Sequence, residues 1–489
     1  MDLHRPETPV IGIHASPAAR LTPNAIGARD DTVIGLANAA PAVSVGLTLA
    51  ALAAASAYGS GPIILITAIP MLIISNAYRQ LNKWNANCGA SFEWVGRAIS
   101  PYLGFVTGWL MVAATVIGTV SCVDNLGPSV LAVFGSSNPT STWPDIAIGT
   151  TVCLVMLLTA IAGIRITART QVGMAVVEYV ILLGFAVAGL LFVLLRHPGT
   201  VPIGRGWISL TGMNGHGNAA AGFLIAVFLY TGWDGALYVN EEVTSRNRNP
   251  GRAGIMAVAL LAIIYTVSEV GLQGIVSPDK LQAHSSSALV YVAQALAGST
   301  GGRLMALALA LSVTATCGAG IVLTARIICG MAGAVEFPGL LRPGTRHGTP
   351  VAASVIVGLL VIILTWVYLL ATSVQGAFTA AVNVTGMLFA SFYILTALAT
   401  VIYFRRRLAR PADALFLGIL PLGAAGFLGW IVVQSLAAAS AAEIWSVVGV
   451  AAVGFCLMLT SRFALRSPYF RVRRETGAAD PGSPSVNKR

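Results

Sequence analysis

Apolar residues fill this chain in long stretches, and the polar residues between them fall in short, mostly basic clusters. No Asp, Glu, Lys or Arg occurs from Thr32 to Tyr78 or from His347 to Phe404. Each window exceeds the roughly 20 apolar residues that cross a bilayer, and each has room for two spans joined by a turn. In the first, Gly59, Ser60, Gly61 and Pro62 read as that turn. Carried along the chain, the pattern predicts spans near 33–57, 63–79, 101–123, 145–165, 174–195, 218–239, 253–275, 302–325, 350–371, 379–403, 414–435 and 443–461. Lipid offers backbone groups no partner, so the expected fold is an all-α polytopic membrane protein with twelve transmembrane helices.

Composition agrees. Of 489 residues, 56% are hydrophobic and only 10% charged, against about 25% charged in a soluble domain. Basic residues orient the spans, because Lys and Arg are retained on the cytoplasmic side during insertion. With both termini cytoplasmic, 25 of the 29 basic residues lie inside, and only Arg196, Arg205, Lys280 and Arg303 lie outside. The net charge of +11 then reflects this asymmetry and anionic inner-leaflet lipid, and no nucleic-acid partner is required. The expected location is the cell inner (plasma) membrane. Pro6, Pro9, Pro17 and Pro23 precede the first span, so no cleaved secretory leader is expected. Residues 1–31 read as a cytoplasmic tail, and 463–489 as a disordered basic one.

The informative residues are those that lipid does not suit. Span 1 carries Asn38, Ala39, Ala40, Pro41 and Ala42 in its first half, and Pro41 both lacks an amide proton and disfavours helix before it. A simple kink repaired by neighbouring helices also fits Pro41 alone. Span 6 carries Tyr230, Thr231, Gly232, Trp233, Asp234 and Gly235, two glycines around a carboxylate. Irregular backbone at membrane depth survives only where it lines a cavity, so two breaks imply a site.

The breaks are five spans apart, the spacing of inverted repeats, with spans 1–5 in residues 32–200 and spans 6–10 in 201–409. Spans 11 and 12, residues 410–462, lie outside that pattern. The loops Gly89–Ser100 and Ser277–Ala297 each suit a short amphipathic helix, on opposite faces of the membrane. Helix N-termini at the breaks suit a carboxylate, and a nearby acidic side chain suits an amine. Together they suit an amino acid.

Three carboxylates fall inside spans: Glu178, Asp234 and Glu269. Each is expensive there and is by default a functional candidate, and no Lys or Arg lies mid-span to pair with it. Glu269 lies toward the outer end. The six cysteines, Cys88, Cys122, Cys153, Cys317, Cys329 and Cys456, are scattered without metal-ligand or disulfide spacing. All six histidines fall in loops or tails, which argues against a histidine proton relay. No metal or cofactor is expected.

The stretch Ala77 to Trp109 couples Tyr78 and Leu81 at the end of span 2 to an Asn87-x-Gly89 turn. An aromatic-rich helix and Gly108-Trp109 at the opening of span 3 follow. It resembles the same region of the amino acid, polyamine and organocation permease (APC) superfamily. Tyr230 to Glu242, followed by Asn249, Pro250, Gly251 and Arg252, is similar to that family's sixth span. Ala325 and Arg326 through Met331 and Ala332, then Pro338 to Pro350, resemble its link between spans 8 and 9. The likeness extends from about Thr32 to Arg407. It implies a LeuT-like 5+5 inverted repeat plus two C-terminal helices, an amino acid or amine held between spans 1 and 6, and coupling to protons or to counter-exchange.

By position, the resemblance assigns substrate contact to Asn38 through Ala42 and to Tyr230, Thr231, Gly232, Trp233 and Asp234, with Phe228 closing over the substrate. Glu178 falls where some proton-coupled members carry a lysine in place of a sodium site. A carboxylate there suits either a proton or sodium as coupling ion, with Ser312, Thr314 and Thr316 as companions. Three departures stand out. Alanines and Pro41 replace the glycines usual in the first break, Gly333 and Ala334 replace an Arg-Asp pair after span 8, and Arg246 replaces the first of two prolines after span 6. The combined expectation is a secondary active transporter of neutral or cationic amino acids, proton-coupled, with an ion-independent exchanger as the alternative. A membrane enzyme or sensor is the different-class rival. The chain has no HExxH, phosphate-binding loop or Ser-His-Asp set to support an enzyme, and neither tail is long enough to fold as a sensory domain.

Overall fold

In a computed structural model, residues 21–123, 125–135, 142–210, 217–335, 341, 348–371 and 374–471 are described. Expectations for the tail segments 1–20 and 472–489, and for most of the link from Pro338 to Arg346, lie outside them. Among the described residues, twelve helices are long and apolar enough to cross a membrane. They run Ala28–Ser56, Ser60–Trp84, Pro101–Val133, Thr142–Ala162, Ile164–Leu194 and Ala219–Leu237, then Asn249–Gln273, Ala288–Val335, Val351–Leu370, Val382–Tyr403, Pro411–Ala438 and Ala441–Ala464. The chain is therefore a multi-pass membrane protein.

Several boundaries differ from the sequence reading, and for physical reasons. The first turn is narrower than expected. Ala57 takes a left-handed φ of 55°, and helix resumes at Ser60, with Pro62 in a first turn whose amides need no helical partner. Span 8 was expected to end at 325, before Arg326, but the helix runs on to Val335. Arg326 can stay inside because its charge is neutralised there. At its other end, non-helical angles at Ala297 and Gly298 set off a preceding helix from Ala288. With Pro278–Ala283 it fills the loop after span 7. Ser91–Ala98 is the short helix after span 2.

Span 8 packs against spans 1, 3, 4, 5 and 9, while span 10 packs against spans 2, 3 and 11. Spans 11 and 12 are peripheral: 83% of the most apolar window of span 1 is buried, against 11% for span 12. Span 5 shows how a helix apolar on all sides chooses its inner face. Ala175, Glu178, Leu182, Ala186, Gly189 and Val193 form the buried stripe, and Val176, Val180, Val187 and Leu191 face outward. Small residues take the stripe because close helix approach replaces the hydrophobic drive that lipid removes. At Gly189 and Gly271 the backbones of spans 5 and 7 meet. A Cβ on Gly271 would overlap the Ala186 carbonyl, and one on Gly189 would overlap the Gly271 carbonyl.

The end of the bundle where span 1 begins, here the base, is closed by polar bonds. The amides of Ala25 and Ile26 donate to the Glu242 carbonyl at 2.7 and 3.2 Å. Asn240 Nδ2 donates to Asn82 Oδ1 and to the Asn87 carbonyl, and the Cys88 amide donates to Glu241 Oε1. At the opposite end, the top, the Asn218 amide donates to the Ala55 carbonyl at 2.9 Å and Tyr58 stacks on Trp207.

Candidate functional site

Span 1 is two helices, Ala28–Asn38 and Pro41–Ser56, separated by Ala39 and by Ala40 at φ 48°. Pro41 takes the first helical position of the second piece, where its missing amide removes no bond. The kink-only reading of Pro41 does not describe this geometry, because the chain leaves the helical region before it. Span 6 is interrupted at Gly232, φ 96°. A side chain there would be strained and would press on the Asn38 carbonyl, 2.7 Å from an ideal Cβ. The breaks touch, and Asn38 Nδ2 donates to the Gly232 carbonyl at 2.9 Å.

Helix starts at both breaks were expected to leave amides for a ligand, and the structure corrects this. Beyond Gly232 the chain continues as 3₁₀ turns, Trp233–Leu237 and Asn240–Glu242, rather than as an α-helix. In span 1, the Ala42 amide donates to Glu178 Oε1 at 2.9 Å and the Val43 amide approaches Ser312 Oγ at 3.4 Å. A carboxylate at a helix N-terminus satisfies an orphan donor and complements the helix dipole. Thr316 Oγ1 donates to the Ala37 carbonyl at 2.9 Å, on the other side of the gap. Glu178, Ser312 and Thr316 therefore converge on one break, from spans 5 and 8. Thr314 does not join them; its hydroxyl returns to Ala310 on its own helix.

Ala39 offers its carbonyl to Ser44 Oγ at 2.8 Å and to Tyr265 OH at 3.2 Å. Tyr230 reaches the Ile64 carbonyl at 3.2 Å and meets Tyr265 edge-on. Thr231 bonds back to the Phe228 carbonyl. Trp233 packs on Tyr78 and Tyr393. Asp234 is fully buried, with Tyr393 OH donating to Oδ1 at 2.9 Å and Tyr238 OH donating to Oδ2. Of the eleven residues predicted to contact substrate, only Asn38 and Phe228 retain substantial accessible surface.

The sequence reading missed several partners: Ser44, Tyr238, Tyr265, Tyr393, and above all Arg326. The Arg326 guanidinium is unexposed and grips Glu242 with both arms, Nε–Oε2 2.5 Å and Nη2–Oε1 3.1 Å. The pair ties span 8 to the foot of span 6. It supplies an ion pair at the base from residues other than the absent Arg-Asp. The signal available was two charges of opposite sign at the same predicted end of spans 6 and 8.

Twelve apolar helices gathered around two touching interruptions, with buried polar groups collected there, define a membrane carrier architecture. A family model described as Amino acid permease matches residues 32–460, and the chain belongs to that family. A permease family is one of carriers rather than enzymes. The chain is also 22% identical over 263 residues to the arginine/ornithine antiporter ArcD1 of Lactococcus lactis subsp. cremoris (strain MG1363). That match covers 50% of this chain and 49% of that protein, so the chain spans about half the length of that relative.

Proposed function

We propose that this protein carries an amino acid across the cell membrane by alternating access, with the substrate seated between the breaks of spans 1 and 6. The observation that carries the reading is the Asn38–Gly232 bond, which joins two left-handed interruptions at one point beside the accessible faces of Asn38 and Phe228. Neither break has an explanation as lipid-facing structure. Spans 1–5 and 6–10 act as inverted halves around this point, and both termini face the cytoplasm, as the basic residues indicate.

Asp234 supplies the negative charge beneath the site and directs selectivity toward neutral or cationic amino acids. Tyr393 is the hydroxyl that leaves its carboxylate when a substrate amine arrives. Transport is coupled to a proton, and the buried carboxylates facing the second half of span 1 are the groups available for it. Glu178 and Ser312 link that half-helix to spans 5 and 8, and Thr316 ties the first half to span 8, so a change of charge there is felt at the substrate. Exchange of one amino acid for another is the second reading, favoured by the antiporter named among its relatives.

The test is uptake of a radiolabelled amino acid panel into proteoliposomes, with pH and sodium gradients imposed separately. At least one neutral or cationic amino acid is expected to accumulate under an inward proton gradient. Asp234→Ala is expected to lower the uptake of that substrate at least tenfold, the effect of about 1.4 kcal/mol. Absence of uptake and of exchange for every amino acid would sink the transport reading. Equal uptake by Asp234→Ala would remove Asp234 from it.

A further inference from the structure

Two carboxylates face the second half of span 1, and they are held differently. Glu178 sits at its start, on the Ala42 amide. Glu269, from span 7, lies beside Thr48, six residues or about 9 Å further along the same half-helix. Glu269 is fully buried. Thr48 Oγ1 lies 2.9 Å from its Oε1, and Oε2 has no hydrogen-bond partner among the described residues. The same Thr48 hydroxyl lies 2.7 Å from the Ser44 carbonyl, and it has one proton to give.

Among the described residues no Lys or Arg forms an ion pair with Glu269. On span 7 itself the ionisable neighbours are Tyr265, a turn below, and Arg252 near the far end. Span 5 contributes Glu178 and Tyr179, with Arg165 and Arg169 at its beginning; Arg165 bonds the Ala25 carbonyl at the base. Span 2 contributes Tyr78, Arg79 and Lys83, and Arg79 packs against Gly251. Gly251 is 18 residues, about 27 Å, from Glu269. The first half of span 1 contributes Arg29, Asp30 and Asp31, and the 3₁₀ turn of span 6 contributes Asp234. Those cations belong to the base or its vicinity; at the top, Arg196 follows span 5, Arg205 precedes span 6, and Asp279 and Lys280 lie on the Pro278–Ala283 helix beside the second half of span 1, and none of these cations forms an ion pair with Glu269 among the described residues. The second half of span 1 carries no ionisable side chain.

We infer that Glu269 is the group that takes up and releases the transported proton, while Glu178 is a fixed anion that shapes the hinge. This rests on the proton-coupled reading above and names the residue that performs it. In the neutral acid, the Glu269 O–H donates to Thr48 Oγ1, and Thr48 donates its own proton to the Ser44 carbonyl, so one chain of bonds joins all three groups. When the Glu269 O–H bond breaks and the proton passes to water, the carboxylate recruits the Thr48 proton and the Ser44 carbonyl loses that bond. Ser44 also holds the Ala39 carbonyl inside the break through its hydroxyl. The protonation state of Glu269 is therefore transmitted along one helical turn to the backbone beside the substrate. A bare carboxylate in this apolar position is costly enough that each cycle must return a proton to it.

The experiment uses the full chain in proteoliposomes. An inward gradient of one pH unit, coupled to one proton, drives accumulation of up to about tenfold. Glu269→Gln is expected to reduce the accumulation ratio to unity and to leave exchange that no longer depends on pH. Thr48→Val is expected to move the midpoint of the pH profile about one unit toward alkaline pH, because a donor to the carboxylate is lost. Thr48→Ser restores the wild-type profile. Thr48→Val also guards against a Glu269→Gln protein that fails to fold. Tenfold accumulation by Glu269→Gln, or an unmoved profile in Thr48→Val, would overturn the inference. So would wild-type exchange without pH-driven accumulation, and that result leaves the transport reading standing. Absence of all transport by the wild type overturns the transport reading first.

Discussion

Span 1 resumes after its break as a sixteen-residue α-helix, whereas span 6 resumes as short 3₁₀ turns. The first has its open amides met by side chains from spans 5 and 8, Glu178 and Ser312. The second has its charges met partly from within span 6 and partly from other helices: Asp234 by Tyr238 four residues on and by Tyr393 of span 10, Glu242 by Arg326 of span 8. One break is thus held by hydrogen bonds to its open amides, with no ion pair. The other is latched at its foot. A rigid α-helix keeps its geometry when an anchor moves, while a run of 3₁₀ turns, with poorer internal bonds, depends on its partners to keep a shape. In the proposed transport cycle that difference would give motion to span 1 and locking to the foot of span 6.

The latch gives the largest expected effect. Arg326→Ala leaves Glu242 as a buried, unpaired carboxylate and should cost about 3–5 kcal/mol, read as a lowered thermal unfolding midpoint of the solubilised protein. The double variant Arg326→Met, Glu242→Leu should recover much of that loss yet weaken closure at the base, seen as faster labelling of a cysteine introduced there. Wild-type stability in Arg326→Ala would remove the latch and with it the contrast between the breaks. The break in span 1 responds less. Glu178→Ala orphans the Ala42 amide and should cost about 2 kcal/mol, whereas Glu178→Gln keeps an acceptor and should cost about half of that. Equal losses in the two variants would mean that Glu178 acts through its volume and not through its bond.

Much of this contrast was legible in the residues themselves. Asn38 to Ala42 and Tyr230 to Asp234 announced their breaks because proline and glycine are conspicuous among apolar neighbours, and Glu178 did so because a carboxylate is. The number of spans followed from charge-free windows for the same reason. The inner faces were not legible. Val176, Val180 and Val187 are as apolar as the residues on the opposite, buried side of span 5, so periodicity carries no information there. Tyr393 lies in a window from His347 to Phe404 where no charged residue marks a register. Arg326 was read as the end of a span, since an arginine is unwelcome in lipid. Its partner Glu242 is 84 residues away, and only packing brings them together. The order of the carboxylates proposed above differs too. Glu269 looked peripheral from its place near the end of span 7, and the Gly189–Gly271 contact that brings spans 5 and 7 together is written in two glycines among many.

The smallest effect tests whether the two breaks work as one. Asn38 is half-buried, and its amide adds a second bond to the Gly232 carbonyl, which also accepts from the Gly235 amide at 3.1 Å. Asn38→Ala removes that bond but leaves the Gly232 carbonyl its bond from the Gly235 amide, so the stability loss should be only about 1 kcal/mol. Transport should suffer out of proportion. With the bond gone, span 1 can move without carrying the Gly232 turn, and substrate binding no longer reports to the latch. The expected signature is a rise in KM with a smaller fall in maximal rate, while Asn38→Asp, which cannot donate from that position, behaves like alanine. Asn38→Gln, with a longer reach to the same carbonyl, separates the two roles by retaining stability and recovering KM in part. A variant series in which stability and KM fall together in fixed proportion would show that the bond only supports the fold, and that the breaks move independently.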